Sequence, residues 1–179
     1  AFTGSTKTAK IVAATCAKTM TPVVLECGGK DPVIVAKDAD IKRAADATIW
    51  SAMSNAGQTC IGAERVYVEE SVAEKFISEA LKVVSTIKAG EPGVGNYGPA
   101  TMPSQLNVIE SHIKAAIKSG GVVVHGGLSS VQDPYVSPVV ILDVPEDSAA
   151  MCEETFGPVI IINRVKSIDE AVERSNSSA

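Results

Sequence analysis

Runs of uninterrupted aliphatic residues, Val33-Ile34-Val35, Val122-Val123-Val124, Val139-Val140-Ile141-Leu142 and Val159-Ile160-Ile161-Ile162, constrain the fold more than any other feature of this chain. A strand with one wet face alternates apolar and polar side chains, because successive side chains point to opposite faces of a sheet. A run without alternation has to be covered on both faces, the condition of a strand inside a parallel sheet sandwiched by helices. Between the runs the period changes. Ile41, Ala44, Ala45, Thr48, Ile49 and Ala52 share one face of a helix that Asp40 caps. Ser71 opens a longer amphipathic helix through Phe76, Ile77, Leu81 and Val84, with Glu74 placed to complete a capping box. Pro103 to Lys118 reads as another helix, ended by Gly120-Gly121, and Ile168 to Arg174 as the last. The alternation implies an α/β fold, a mostly parallel sheet with helices on both faces.

At the start, Phe2-Thr3-Gly4 reads as a strand, Ser5-Thr6 as a turn, and Lys7 to Lys18 as a helix with Ile11, Val12, Ala14 and Cys16 on its apolar side. Pro22 stops that helix, and Val23-Val24-Leu25 reads as a short buried strand leading into Glu26-Cys27-Gly28-Gly29. The helix from Ile41 fails at Asn55-Ala56-Gly57, a loop carries Gln58-Thr59-Cys60, and Arg65-Val66-Tyr67-Val68 follows as an alternating strand. Gly90 to Pro99 is the strongest loop signal.

A length of 179 residues supports one well-developed core. The net charge of −5, with no cluster of Lys and Arg, argues against nucleic acid and anionic membranes as partners. Aromatic residues at 4% are too few for a platform that stacks single-stranded bases. No apolar run approaches the roughly 20 residues of a membrane helix, and no charged-then-apolar leader opens the sequence. Cys16, Cys27, Cys60 and Cys152 show no CxxC spacing, and only His112 and His125 could assist them, so neither a zinc site nor a disulfide framework is expected. The expected compartment is reducing and cytoplasmic. Ala1-Phe2 reads as the interior of a strand already begun, so the sequence is expected to be a piece of a longer protein.

Two residues carry chemistry. Glu26 ends an apolar strand, where an unpaired carboxylate is costly to bury, and Gly28-Gly29 beside it lets another group approach the backbone. Cys60 sits in a loop after a helix, with Gly57 in the tight turn. A thiol that attacks a carbonyl and a carboxylate that later activates water are a workable pair for acyl chemistry. Singly, each has a plain alternative, a surface carboxylate or an inert loop thiol. Cys16 reads as a small core residue, Cys152 as packed or partly exposed, His112 and His125 as surface positions, and Trp50 as core or interface.

Whole motifs go further than single residues. Phe2-Thr3-Gly4-Ser5-Thr6, Leu25-Glu26-Cys27-Gly28-Gly29-Lys30-Asp31-Pro32, Asn55-Ala56-Gly57-Gln58-Thr59-Cys60 and Glu153-Glu154-Thr155-Phe156-Gly157-Pro158 occur in this order across nearly the whole chain. In order and wording they resemble the NAD(P)-dependent aldehyde dehydrogenase superfamily. The resemblance implies a small-molecule aldehyde as substrate and NAD or NADP as cofactor. It implies Cys60 as the nucleophile of a thiohemiacetal and thioester, with its own N–H as half of the oxyanion hole, and Glu26 as the base for the hydrolytic water. On the coenzyme side it implies Gly4 and Ser5 near the pyrophosphate at a helix N-terminus, Glu154 on the nicotinamide ribose, Phe156 flanking it, and Cys27 close by. Cys27 stands where the family commonly has Leu, which puts a second thiol near the site.

The resemblance also divides the chain. Residues 1–26 correspond to the tail end of a coenzyme-binding domain and residues 27–179 to the catalytic domain, ending before an oligomerisation strand. The adenosine pocket and one oxyanion donor belong to the preceding domain, so residues 1–179 alone are expected to be inactive, and the full-length protein is expected to be a homodimer or homotetramer. The wording around Lys30-Asp31-Pro32 and Asn55-Ala56-Gly57-Gln58 is similar to bacterial succinate-semialdehyde and broad-specificity members. The other readings are a CoA-acylating semialdehyde dehydrogenase, which retention of Glu26 disfavours, and a non-catalytic interaction module.

Overall fold

The structure, a computed structural model, describes residues 1–177. Ser178 and Ala179, part of the end at which the expected break before an oligomerisation strand falls, lie outside the described residues. In chain order the elements are β1 (Phe2–Gly4), α1 (Thr6–Ala17), β2 (Leu25–Cys27), β3 (Pro32–Val35), α2 (Ile41–Met53), β4 (Arg65–Glu69), α3 (Glu70–Val84), α4 (Pro103–Lys118), β5 (Val122–His125), β6 (Val131–Gln132), β7 (Tyr135–Val136), β8 (Val139–Leu142), α5 (Ala149–Cys152), β9 (Val159–Val165) and α6 (Ile168–Ser175). A five-stranded sheet runs β3-β4-β9-β8-β5, with only β5 antiparallel to its neighbour. β1 and β2 form a separate parallel pair, and β6 and β7 a small antiparallel one. This is the expected α/β sheet.

The aliphatic runs divide between two cores. Val66, Val68, Val140, Leu142, Ile160 and Ile162 meet Ile49 of α2 and Phe76 and Val84 of α3 on one face. Tyr67, Val139, Ile141, Val159 and Ile161 meet Ile109 and Ile113 of α4 and Ala171 of α6 on the other. Each fully buried aliphatic side chain stabilises by about 1.5–3 kcal/mol, so both helix layers are held by the same strands.

Several local expectations change. β4 alternates chemically but not in exposure: all of Arg65–Glu69 is buried, because α6 covers the face that Arg65 shares with Tyr67. Arg65 Nε and Nη2 donate to the Lys30 carbonyl at 2.9 and 2.6 Å, and Nη2 also to the Ser175 carbonyl at 3.2 Å. The capping box at Ser71 does not form. β4 passes directly into α3, so Ser71 already lies inside the first turn, and Glu74 instead pairs with Arg164 of β9 at 2.7 Å.

The strand expected at Val23-Val24-Leu25 begins only at Leu25, and Val24 is 62% exposed. In α1 only Ala9 is buried, so Cys16 is half-buried rather than core. Trp50 is 73% exposed, about 100° round α2 from the buried Ile49, which excludes it from this core. Among the described residues no helix is long and apolar enough to cross a membrane.

Candidate active site

The C-terminal ends of β1 and β2 meet the segments that lead into β4 and β9, and a cleft of about 460 Å³ opens between them. It is lined by Gly4, Ser5, Glu26, Cys27, Cys60, Glu154 and Phe156, together with Thr3, Gly28, Met102, Gln105 and Val108. Every site residue expected from the sequence therefore borders one space. Relative to β1 and β2 the cleft has the usual position for a parallel sheet, outside the carboxyl ends of the strands. Relative to β4 and β9 it lies at the amino ends.

The Cys60 loop is held by its own motif. α2 ends at Met53, where the Ser54 hydroxyl donates to the Trp50 carbonyl at 2.6 Å. Asn55, Ala56 and Gly57 then take φ values of 53°, 60° and 68°, a left-handed run that is uncommon for Ala. Gln58 secures it. Its Nε2 donates to the Asn55 and Pro99 carbonyls at 3.0 and 3.2 Å, and its Oε1 accepts from the Thr101 amide and hydroxyl at 2.8 and 2.9 Å. The Asn55 side chain donates to the Gln58 carbonyl at 3.0 Å. Cys60 follows, exposed at the cleft with a free thiol. Gln58 thus fastens the Cys60 loop to residues 99–101 and is not itself in the cleft lining.

The segment bearing Glu154 and Phe156 joins α5 to β9 and belongs to neither. Its backbone is held by Glu64: the Thr155 amide donates to Oε2 and Oε1 at 2.8 and 3.0 Å, and the Phe156 amide to Oε1 at 2.9 Å. Glu64 is buried and paired with the buried Lys30 ammonium. Lys30 also donates to the Thr155 hydroxyl at 2.9 Å, and His112 Nδ1 lies 3.0 Å from the same oxygen. Burial lowers the Lys30 pKa, and the Glu64 charge opposes that shift.

His112 was expected at the surface and is instead 4% exposed. It sits on the stripe of Ile109, Ile113 and Ala116 that α4 presents to the core, and Thr155 accommodates its polar edge. Burial and the Lys30 charge hold its pKa below the ordinary histidine value, against the carboxylates of Glu153 and Glu64. The spacing from Ile109 was the signal for this position. For Lys30 and Glu64 the signal was two opposite charges just before the neighbouring apolar strands β3 and β4. His125 is half-buried, and Cys152 is exposed, with its thiol donating to the Glu146 carbonyl at 3.0 Å.

The cleft offers three kinds of recognition. At one end Ser5 caps the 12-residue helix α1, accepting the Thr8 amide at 3.3 Å, and the remaining amides and the helix dipole suit an anion. The Glu154 carboxylate is an acceptor for hydroxyls. Its pKa is raised by partial burial and by the Glu64 and Asp31 carboxylates, and opposed by the Gly29 amide and Lys30. Gly28 is what lets Glu154 approach: a Cβ there would stand 2.5 Å from Glu154 Cδ. The Phe156 ring adds a flat apolar surface. An anion, a set of hydroxyls and a flat ring are the parts of a nucleotide. Among the described residues no group of three His, Cys, Asp or Glu side chains could hold a metal ion.

Comparison with known proteins places this geometry. D-glyceraldehyde dehydrogenase (NADP(+)) of Picrophilus torridus is 37% identical over 183 residues, which cover 99% of this chain and 37% of that protein. The NADP(+)-linked succinate-semialdehyde dehydrogenase 1 of Schizosaccharomyces pombe is 37% identical over 182 residues, covering 99% of this chain and 36% of its own length. The structure of lactaldehyde dehydrogenase from Escherichia coli superimposes with a TM-score of 0.92 at 35% identity, over 98% of this chain and 38% of that one. The chain thus spans little more than a third of the proteins it matches, and relatives named for different aldehydes align about equally well. The family model described as "Aldehyde dehydrogenase family" matches residues 1–179. With that match over the whole chain and a shared fold, the chain belongs to the aldehyde dehydrogenase family.

Proposed function

We propose that the full-length protein oxidises an aldehyde to a carboxylic acid with NAD or NADP, through a thiohemiacetal and then a thioester on Cys60. The observation that carries this reading is the convergence of Glu26, from β2, and Cys60, from the loop before β4, on a cleft that also presents the α1 N-terminus, Glu154 and Phe156. The Cys60 thiolate attacks the carbonyl carbon, and the Cys60 backbone N–H stabilises the oxyanion that forms. The bound coenzyme supplies the acceptor for the hydride that leaves this carbon. Glu26 then takes a proton from a water molecule, and that water attacks the thioester and expels the Cys60 thiolate. A carboxylate at the cleft favours water over CoA as the acyl acceptor.

Gly4 and Ser5 would hold the pyrophosphate, Glu154 the ribose hydroxyls, and Phe156 and Cys27 the neighbourhood of the nicotinamide. In this reading residues 1–26 complete a coenzyme-binding domain, residues 27–179 form most of the catalytic domain, and the working protein is a cytoplasmic homodimer or homotetramer. Cys60→Ala in the full-length protein should abolish both NAD(P)-dependent aldehyde oxidation and coenzyme-free hydrolysis of p-nitrophenyl acetate. Cys16→Ala, near the C-terminal end of α1 and outside the cleft lining, should leave both near wild type. Retention of either activity by Cys60→Ala refutes the assignment.

A further inference from the structure

We propose that Glu64, held by Lys30, is a positioning residue that fixes Glu154 and Phe156 at the cleft by binding the backbone between them. The proposal rests on reading the cleft as a coenzyme site. Neither Glu64 nor Lys30 lines the cleft, so any influence on a ligand passes through the segment they hold.

The argument begins with an unmet need. Residues 154–156 lie between α5 and β9, without a strand or helix partner to take up their amides, yet Thr155 is only 1% exposed. Buried amides require acceptors. Phe156 also has a φ of 49°, a left-handed conformation that costs a non-glycine residue about 1–3 kcal/mol and persists only when its surroundings impose it. The Glu64 carboxylate receives the amides of both Thr155 and Phe156. Gln105 Nε2 donates to the Thr155 carbonyl at 2.7 Å, so both sides of residue 155 are tied.

Glu64 is itself anchored. Its own amide donates to the Asp31 carbonyl and its carbonyl accepts from Ile161, each at 3.1 Å, which places it at the seam of β3, β4 and β9. The strand register then sets Lys30 beside it, because Pro32 and Arg65 are partners. Stability alone does not call for this arrangement, since a buried ion pair commonly does no better than apolar side chains of the same volume. What an apolar pair could not supply is a charged acceptor aimed at two consecutive amides.

The test uses the full-length protein with Glu64→Gln and Glu64→Asp. In Glu64→Gln the amides of Thr155 and Phe156 should exchange with deuterium faster than in the wild type. The Kd for NAD(P) should rise about tenfold to a hundredfold, while hydrolysis of p-nitrophenyl acetate by Cys60 stays within about twofold. Equal losses in coenzyme binding and ester hydrolysis would mean a general structural role and overturn the proposal, as would unchanged amide exchange. If Glu64→Gln does not fold, Glu64→Asp decides: its carboxylate can still pair with Lys30 but is set back by about 1.5 Å, and wild-type coenzyme affinity there overturns the proposal. Wild-type protein that binds neither NAD nor NADP overturns the coenzyme reading itself, whereas wild-type binding that both variants preserve removes only the role of Glu64.

Discussion

Gly28→Ala should weaken coenzyme binding while leaving the fold almost unchanged. A Cβ on Gly28 would stand 2.5 Å from both Cδ and Oε2 of Glu154, and closer still to Oε1. Real Cβ atoms essentially never come within 3.0 Å of such neighbours, so the carboxyl carbon has to retreat by at least 3.0 − 2.5 = 0.5 Å, and Oε1 by more. The obstructing atoms are the far end of a flexible side chain, and Gly28 is not among the positive-φ glycines, so alanine fits the backbone. Stability should therefore stay within about 1 kcal/mol, with the reduced entropy of the unfolded chain slightly in favour of alanine.

The effect on the site is larger. A hydrogen bond from a ribose hydroxyl to a carboxylate contributes about 1.5–3 kcal/mol. Losing that much corresponds to a rise in Kd of about tenfold to a hundredfold. Isothermal titration with NAD(P), run beside urea unfolding, measures both quantities. The comparison should be repeated on a Glu154→Gln background, where Gly28→Ala should add little, because the two changes act through one carboxylate. Fully additive losses would show that the new methyl group blocks the coenzyme directly. An unchanged Kd in the single variant would remove Glu154 from coenzyme recognition.

Gly57→Ala should destabilise by about 3 kcal/mol or more, because it combines left-handed strain at a φ of 68° with a Cβ 2.8 Å from Pro158 N and nearer to the Gly157 carbonyl; a urea midpoint close to wild type would refute that packing. His112 has a pKa lowered from 6.5 in the folded state, so the folded protein binds fewer protons than the unfolded chain. Its contribution is complete above about pH 6.5 and is lost as pH falls toward the folded value, so His112→Gln should flatten that part of the stability profile, and an unchanged acid slope would exclude it. Glu26→Gln should preserve a pre-steady-state burst of reduced coenzyme and slow the steady phase that follows, since an amide cannot take the proton from water; loss of the burst with coenzyme binding intact would place Glu26 in thiol activation instead.

Much of the fold was legible because burial on both faces leaves a local mark. The runs at Val139–Leu142 and Val159–Ile162 could not belong to a half-wet sheet, and α2 and α4 follow their apolar periodicity almost residue for residue. The motifs around Glu26, Cys60 and Glu154 pointed to residues that the fold brings to one cleft, and it was the resemblance carried by whole motifs, not the chemistry of any single side chain, that singled them out.

Exposure and pairing were another matter. Val24 and Trp50 look like core residues by composition, yet whether an apolar side chain is covered depends on which layer lies over it, and no local period records that. Arg65 reads as the wet side of an alternating strand and is buried because α6 returns from the far end of the chain to cover it. Lys30, Glu64, Thr155 and His112 stand far apart in sequence and meet only when β3 and β4 pair in register and α4 packs across the leader of β9. A charge can be buried only where its partner is already in place, so this network was decided by tertiary structure, whereas the residues that line the cleft were already marked by motifs in the sequence.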